Sequence, residues 1–395
     1  LGAIAVLAFV MIGVCAITVG LLLDPLMREF GWSNSAVSSL ATVYSLSCML
    51  GSPLIGILVD RYGSKRAMAA GVVITAAGFL MVALSNVLWS FYAALVLVGT
   101  GYGGAFYLGV WTLIAERMGE RKNLGMGVLS GVGSIGAATF SVAAGWTIAE
   151  LDWRTAATTA AIVVAALLPI VIWWVPRETP CVATPTSHKP STRSQRPIGM
   201  MLTPYYAFAV LMSALAAFGM SSIFFHVVPI MMNAGLSQQR ASEVLGATWL
   251  LSGIGSLCTG AIANRVGASA TLAGAMLVSA AGTLFLLLIG VDPFSTAATG
   301  LFILLWGATA NTVNQFLPIL FVERFGAAHL GFLLGVQSAF MGIVGSAAPI
   351  ATGALFDLHD NYSAAVIMSI SVTFTAFLVA IGLAFGRRGH GEATA

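Results

Sequence analysis

Charge is what this chain has least of. Only 8% of its 395 residues are Asp, Glu, Lys or Arg, against about 25% in an ordinary soluble domain. With 58% of residues hydrophobic, a water-soluble fold has no polar surface to present, so the implied solvent is lipid. The 17 basic and 14 acidic residues nearly cancel, at a formal net charge of +3, and this excludes the basic field that nucleic acid requires. Cysteine is scarce too. Cys15, Cys48, Cys181 and Cys258 stand without paired spacing, which excludes a disulfide framework and a zinc site. No nucleophile has a histidine base at a plausible spacing and no metal-ligand spacing occurs, so the chain is read as a non-enzyme without a cofactor. Strand-like alternation is absent as well, leaving an all-α class.

What is present is a series of uncharged runs with charges between them. Residues 36–59 contain no charged side chain and are long enough to cross a hydrocarbon core of about 30 Å at about 1.5 Å per residue. Residues 67–115 are uncharged throughout and too long for one span, so they are predicted as two, broken at Ser85-Asn86. Further spans are expected at 1–23, 123–149 and 155–175, then at 205–232, 244–263, 268–290, 296–322, 330–356 and 364–385. The chain begins inside an apolar run without an initiator methionine, which points to residues ahead of Leu1. Residues 1–23 exceed a signal-peptide core and lack a cleavage site, so they are expected to be retained. Between the sixth and seventh spans, residues 178–196 carry Pro180, Pro185 and Pro190 among Ser, Thr, Lys and Arg, a polar linker with nothing to bury. The predicted organisation is a bundle of six spans at 1–176, a linker at 177–203 and a second bundle at 204–395. Placing the linker in the cytoplasm puts all the lysines and arginines except Arg28, Arg154 and Arg240 on that side. The positive-inside rule then sets the orientation, with both termini cytoplasmic.

The halves repeat one another. Pro25-Leu26-Met27 corresponds to Pro229-Ile230-Met231, and Gly56-x-x-x-Asp60-Arg61-x-Gly63 corresponds at the same offset to Gly260-x-x-x-Asn264-Arg265-x-Gly267. Glu116-Arg117-Met118-Gly119 recurs as Glu323-Arg324-Phe325-Gly326. Such a repeat implies two six-helix bundles about an axis along the membrane normal, with a site at their interface.

The stretch Gly56-x-x-x-Asp60-Arg61-x-Gly63-x-Lys65-Arg66 resembles the loop signature of the major facilitator superfamily of transporters. The resemblance implies twelve transmembrane helices in two pseudo-symmetric bundles and alternating access to a central site. It also implies an inner gate of Gly56, Asp60, Arg61, Gly63, Lys65, Arg66, Arg117 and Arg265, with Asp60 near a helix N-terminus of the other half and Arg117 as its partner. Glu29-Phe30-Gly31-Trp32-Ser33, Gly51-Ser52-Pro53 and His226-Val227-Val228-Pro229 are similar to the monocarboxylate and oxalate/formate branch. That branch implies an organic acid moved with a proton. Its members place an arginine in the eighth span where this chain has Ser256, so a carboxylate would lack its bidentate partner.

Several residues are read as candidates for the central site. His226 is the one ionisable side chain well inside a predicted span, and an intramembrane histidine marks either a proton or substrate site or an interhelical bond. Asn311, Asn314 and Gln315 share one face of the tenth span, and Tyr107 and Trp111 share one face of the fourth; Gln337 lies on the eleventh. Each has an alternative as packing or interhelical glue. Gly131-x-Gly133-x-x-Gly136 spells a dinucleotide fingerprint but has no strand before it, so tight helix packing is expected there instead, with Gly127 and Gly131 four residues apart.

The expected protein is a monomeric secondary transporter in a plasma membrane, the bacterial inner membrane by the branch resembled. Its partners are lipid, a small-molecule substrate and a proton as coupling ion. The alternatives are a carrier of a neutral or aromatic amphipathic solute, and a transporter-like sensor without net flux.

Overall fold

The computed structural model describes residues 2–62, 64–103, 122–174, 197–290, 294–325 and 330–385, and among these the backbone is helical nearly throughout, with no strand. The first half comprises α1 (Gly2–Phe30), α2 (Asn34–Tyr62), α3 (Ser64–Leu84), α4 (Leu88–Tyr102), α5 (Lys122–Glu150), α6 (Trp153–Ala165) and α7 (Leu167–Trp174). A short α8 (Pro197–Met201) precedes the second half. That half comprises α9 (Pro204–Phe224), α10 (Val227–Asn233), α11 (Gln238–Val266), α12 (Ala268–Leu284), α13 (Ser295–Phe302), α14 (Thr312–Phe325), α15 (Leu330–His359) and α16 (Ser363–Phe385). Ten segments among the described residues are long and apolar enough to cross a membrane. Trp89, Trp173 and Leu257 are more than three-quarters exposed, as suits side chains that meet lipid rather than water.

Three spans depart from the expected single rods. Residues 155–175 divide at Ala166 into α6 and α7. The seventh span breaks at Phe225-His226, between α9 and α10. Pro229 accounts for this: its ring would strike the carbonyl four residues earlier, that of Phe225, so the helix has to reset before continuing. The tenth span passes through a π-helical turn at Ile303–Gly307 and re-forms as α14 at Thr312. The first span, in contrast, does not stop at Asp24-Pro25 but runs on to Phe30. Leu26 is buried there and Arg28 pairs with Asp24 at 2.8 Å, which together hold the last turn despite the proline.

Local capping matches the chemistry of the helix starts. Asp152 caps α6 through the Thr155 N–H at 2.5 Å, Thr203 caps α9 through Tyr206, and Ser237 caps α11 through Arg240. The Thr155 N–H bonded to its carboxylate is the main reason Asp152 lies below the usual carboxylate range. Arg154 next to this cap bridges Glu29 of α1 at 2.5 Å and Asn86 at 2.9 Å, and the Trp153 indole also donates to Glu29.

Each half has its own apolar core. Leu7, Met11, Phe79 and Phe91 centre the first, and Met212, Phe316 and Phe321 centre part of the second. A third cluster crosses between them, where Leu21 of α1 and Ala137 of α5 sit among Val227, Ile230, Leu245 and Tyr362. The halves meet along α2 against α15, α5 against α11 and α1 against α10. Glycine makes the closest approaches. A Cβ on Gly136 would run into the Phe9 carbonyl, which is how α1 and α5 touch, whereas one on Gly131 meets nothing. The packing glycines of the false dinucleotide motif are therefore Gly133 and Gly136.

Candidate functional site

Two features stand out, one where the halves meet and one within the second half. The first is a polar seam at the face where α1 ends and α2 begins, here the far face, and where α15 also ends. Asn34 opens α2, and its N–H together with that of Ser35 would lack intrahelical acceptors. Both bind the Asp357 carboxylate from the last turns of α15, at 2.8 Å each. Beneath this exposed carboxylate lies a buried chain. The Asn34 amide donates to the Tyr362 hydroxyl at 2.5 Å, the Ser38 hydroxyl donates to the Asn34 amide oxygen at 2.8 Å, and the Ser38 oxygen lies 2.8 Å from His226 Nε2. Asn34, Ser38, His226 and Tyr362 are each at most 4% exposed. Burial holds the Tyr362 phenol well above its ordinary pKa, so it stays neutral and accepts.

With the Ser38 proton donated to Asn34, the Ser38 oxygen is free to accept from His226, an arrangement that puts the imidazole proton on Nε2. Nδ1 then carries a buried lone pair without a hydrogen-bond partner. The Ser222 carbonyl on the preceding turn is the backbone group that accepts from the imidazole once the ring is protonated. His226, expected well inside the seventh span, stands at the break between α9 and α10 and links the two halves through Ser38.

The second feature is a small cavity between α9, α11 and the π-helical turn. Its walls are Met220, Phe224, Thr248, Trp249, Ser252, Trp306 and Ala310. Phe302 stacks on Trp306 at 5.4 Å and Phe224 meets Trp249 edge-on at 5.7 Å, which fixes the aromatic walls. π-helical turns recur at functional sites because they re-aim side chains without ending the helix. The turn after this one, at Ala310 and Asn311, puts Ala310 on the cavity.

The other candidates are dispersed. Gln315 bonds the Ser256 carbonyl at 2.9 Å and accepts from Thr259 at 3.2 Å, joining α14 to α11. Gln337 donates to Ser213 at 3.0 Å within the second half. Asn314 is exposed and lies 3.4 Å from the Asn311 amide. Arg66 and Arg265 are exposed and Lys65 is half-buried. Tyr107, Trp111, Arg117 and Gly63 lie outside the described residues. Gly56, Asp60 and Arg61 belong to the end of α2, and their side chains also lie outside the described set.

Sequence reading missed Asp357, Asn34, Ser38 and Tyr362 in the seam, and Trp249 and Trp306 in the cavity. Asp357 had a signal: an acid in the last turn of a helix opposes that helix's own dipole and calls for a partner elsewhere. The tryptophans had none, since an aromatic in an apolar span is ordinarily packing.

The profile of the Major Facilitator Superfamily matches residues 4–349. An uncharacterized MFS-type transporter, YcxA, of Bacillus subtilis (strain 168) is 24% identical over 91% of this chain and 88% of its own length. The gallate transporter of Pseudomonas putida is 24% identical over 87% of this chain and 83% of its own. Among solved structures, a mutant of the nucleoside transporter NupG superposes with a TM-score of 0.78 at 13% identity, covering 97% of this chain and 98% of that one.

Proposed function

From the premise that this chain belongs to the Major Facilitator Superfamily and is an integral multi-pass membrane transporter, we propose that it carries a small organic acid with aromatic character, moved with a proton by alternating access. The observation that carries this reading is the aromatic cluster of Phe224, Trp249 and Trp306 around a small apolar void that in this conformation has room for about one water, so a ring enters only when these helices part. Flat aromatic walls take up a ring by stacking and edge contacts, at about 0.5–1.5 kcal/mol per pair beyond area burial. The similarity to a gallate transporter points the same way, gallate being an aromatic carboxylate, as does the resemblance to the monocarboxylate branch.

His226 is assigned the proton. Its Nδ1 lone pair is the free acceptor in the seam, and it lies two residues beyond the Phe224 wall. When the far face opens, the imidazole meets water and takes a proton on Nδ1. Reburying that cation alone is costly, whereas a substrate carboxylate beside it neutralises the charge. Acid and proton therefore enter together. In this reading the linker face is cytoplasmic, as are both termini, and the membrane is the bacterial inner membrane. The halves are residues 1–176 and 204–395, joined by a linker at 177–203 and working as a monomer. The linker-face gate is formed by Asp60 with Arg117, and by Gly56, Arg61, Gly63, Lys65, Arg66 and Arg265. Asn311, Asn314, Gln315, Gln337, Tyr107 and Trp111 are the remaining substrate-site candidates of this reading.

One observation favours a second reading: every side chain lining the cavity is uncharged, which also suits a neutral aromatic solute. A thermal-shift screen of the purified protein decides between them. Aromatic carboxylates should raise the melting temperature, and Trp306→Ala should abolish the rise while leaving the unliganded protein folded. Stabilisation by neutral aromatics alone would transfer the function to the second reading, and stabilisation by aliphatic acids alone would remove the aromatic assignment.

A further inference from the structure

The far-face seam is not built alike on its two sides. The repeat that relates Glu116 to Glu323 also places Glu150, the last residue of α5, opposite Asp357 of α15, and it sets the start of α11 opposite the start of α2. At α2 the first N–H groups are held by a carboxylate from the other half. The preceding serine caps both helices, Ser33 accepting from Ala36 and Ser237 from Arg240 at 3.3 Å each, but α11 has no such added carboxylate and its counterpart Glu150 is exposed. The α5–α11 contact is closed instead by small residues. Ser141 donates to the Ser242 carbonyl at 2.8 Å, and a Cβ on Gly246 would sit 3.0 Å from the Ala138 carbonyl. One side of the seam is therefore a close contact of small residues and the other carries a charged clasp.

We infer that Asp357 is the gate residue of the far face, holding the transporter closed there by capping the N-terminus of α2 across the two halves. The chemistry is that of a helix N-cap supplied in trans. The carboxylate satisfies two orphan donors and opposes the positive end of the α2 dipole. Capping within one helix stabilises every conformation of the protein; a cap that bridges the halves stabilises only the conformation in which they touch. Asp357 lies at the end of its own helix, where the dipole disfavours an acid, so its position is explained by the partner helix. Behind it, the buried chain from Tyr362 through Asn34 and Ser38 to His226 is aligned by the same contact, since Asn34 belongs to both layers.

This inference rests on alternating access but not on the cargo, so its test reads conformation rather than flux. Leu21 is fully buried among side chains of the second half and becomes reachable only when the far face opens. Leu21→Cys is placed in a chain whose own cysteines are replaced, and its labelling by a membrane-impermeant maleimide is timed in intact cells and in inverted vesicles, so that the far face is reached in one of them. Asp357→Ala should speed labelling roughly two- to thirtyfold, the range that loss of a helix cap produces. Asp357→Asn should speed it less, and Glu150→Ala should leave it unchanged. The asparagine variant keeps the shape of the side chain and remains readable if the alanine variant does not reach the membrane. Labelling of both Asp357 variants at the rate of the unaltered chain, or an equal rise in Glu150→Ala, would overturn the assignment.

Discussion

Gly353 is where the far-face seam can be forced apart by a single methyl group. A Cβ added there would lie 2.6 Å from the Ser38 hydroxyl oxygen and 2.8 Å from both the Asn34 carbonyl oxygen and the Ser38 Cβ. The hydroxyl can rotate away, but the Asn34 backbone cannot. Ordinary contact begins near 3.4 Å, so α2 and α15 must separate by about 0.6 Å (3.4 less 2.8) at the level of the clasp. Overpacking of this kind costs about 1–3 kcal/mol. That cost falls on the far-closed conformation alone, because the two helices part when this face opens. At about 1.4 kcal/mol per factor of ten, Gly353→Ala should raise the far-open population some five- to hundredfold. The assay is the maleimide labelling of Leu21→Cys. Gly335→Ala on the same helix is the control, since a Cβ there meets nothing within 4 Å. Faster labelling in Gly353→Ala with no change in Gly335→Ala is expected. Equal rates in the two variants would refute the claim that this close approach forms part of the gate.

Three other perturbations address separate parts of the molecule. His226→Ala removes the proposed proton site and its contact with Ser38; uptake driven by an inward proton gradient should fall to the passive level while the protein stays monodisperse in detergent, and undiminished uptake would remove His226 from the coupling. Asp60→Asn should loosen the linker-face gate and raise cysteine labelling from that side, and an unchanged pattern would count against Asp60 as a latch. Asp152 has a carboxyl lowered mainly by the Thr155 N–H it accepts, so its capping is present at neutral pH and is lost as pH falls through that lowered value. Asp152→Ala should therefore cost about 1 kcal/mol near neutrality and progressively less in acid, read as a melting-temperature difference that closes as the pH is lowered.

Much of the fold was legible because lipid imposes a simple rule on sequence. A helix that crosses must be uncharged over its middle, so the charges at Asp60-Arg61, Glu116-Arg117 and Arg265 by themselves divide the chain into spans. Internal breaks are less legible. Pro229 did carry the information that the seventh span resets at His226, but Pro25 ends nothing in α1, where the buried Leu26 and the Asp24–Arg28 pair outweigh the lost hydrogen bond. The polar seam was illegible for a different reason. His226 was legible as an intramembrane histidine, but Asn34, Ser38, Asp357 and Tyr362 come from two helices and a loop, and each taken alone is an ordinary polar residue near a span end. Only the approach of α2 to α15, allowed by the missing side chain at Gly353, makes them one unit. The aromatic cavity was hidden likewise, because Trp249 and Trp306 differ from packing residues only in what they face.

The central claim, that the chain carries an organic acid with a proton by alternating access, is tested most directly by flux. Protein reconstituted in liposomes is given a radiolabelled aromatic carboxylate with and without an inward proton gradient. Saturable uptake above that of protein-free liposomes is predicted, several-fold faster with the gradient and collapsed by a protonophore. Uptake indifferent to the gradient would contradict the coupling, and binding of the acid without any accumulation or counterflow would contradict transport of it altogether.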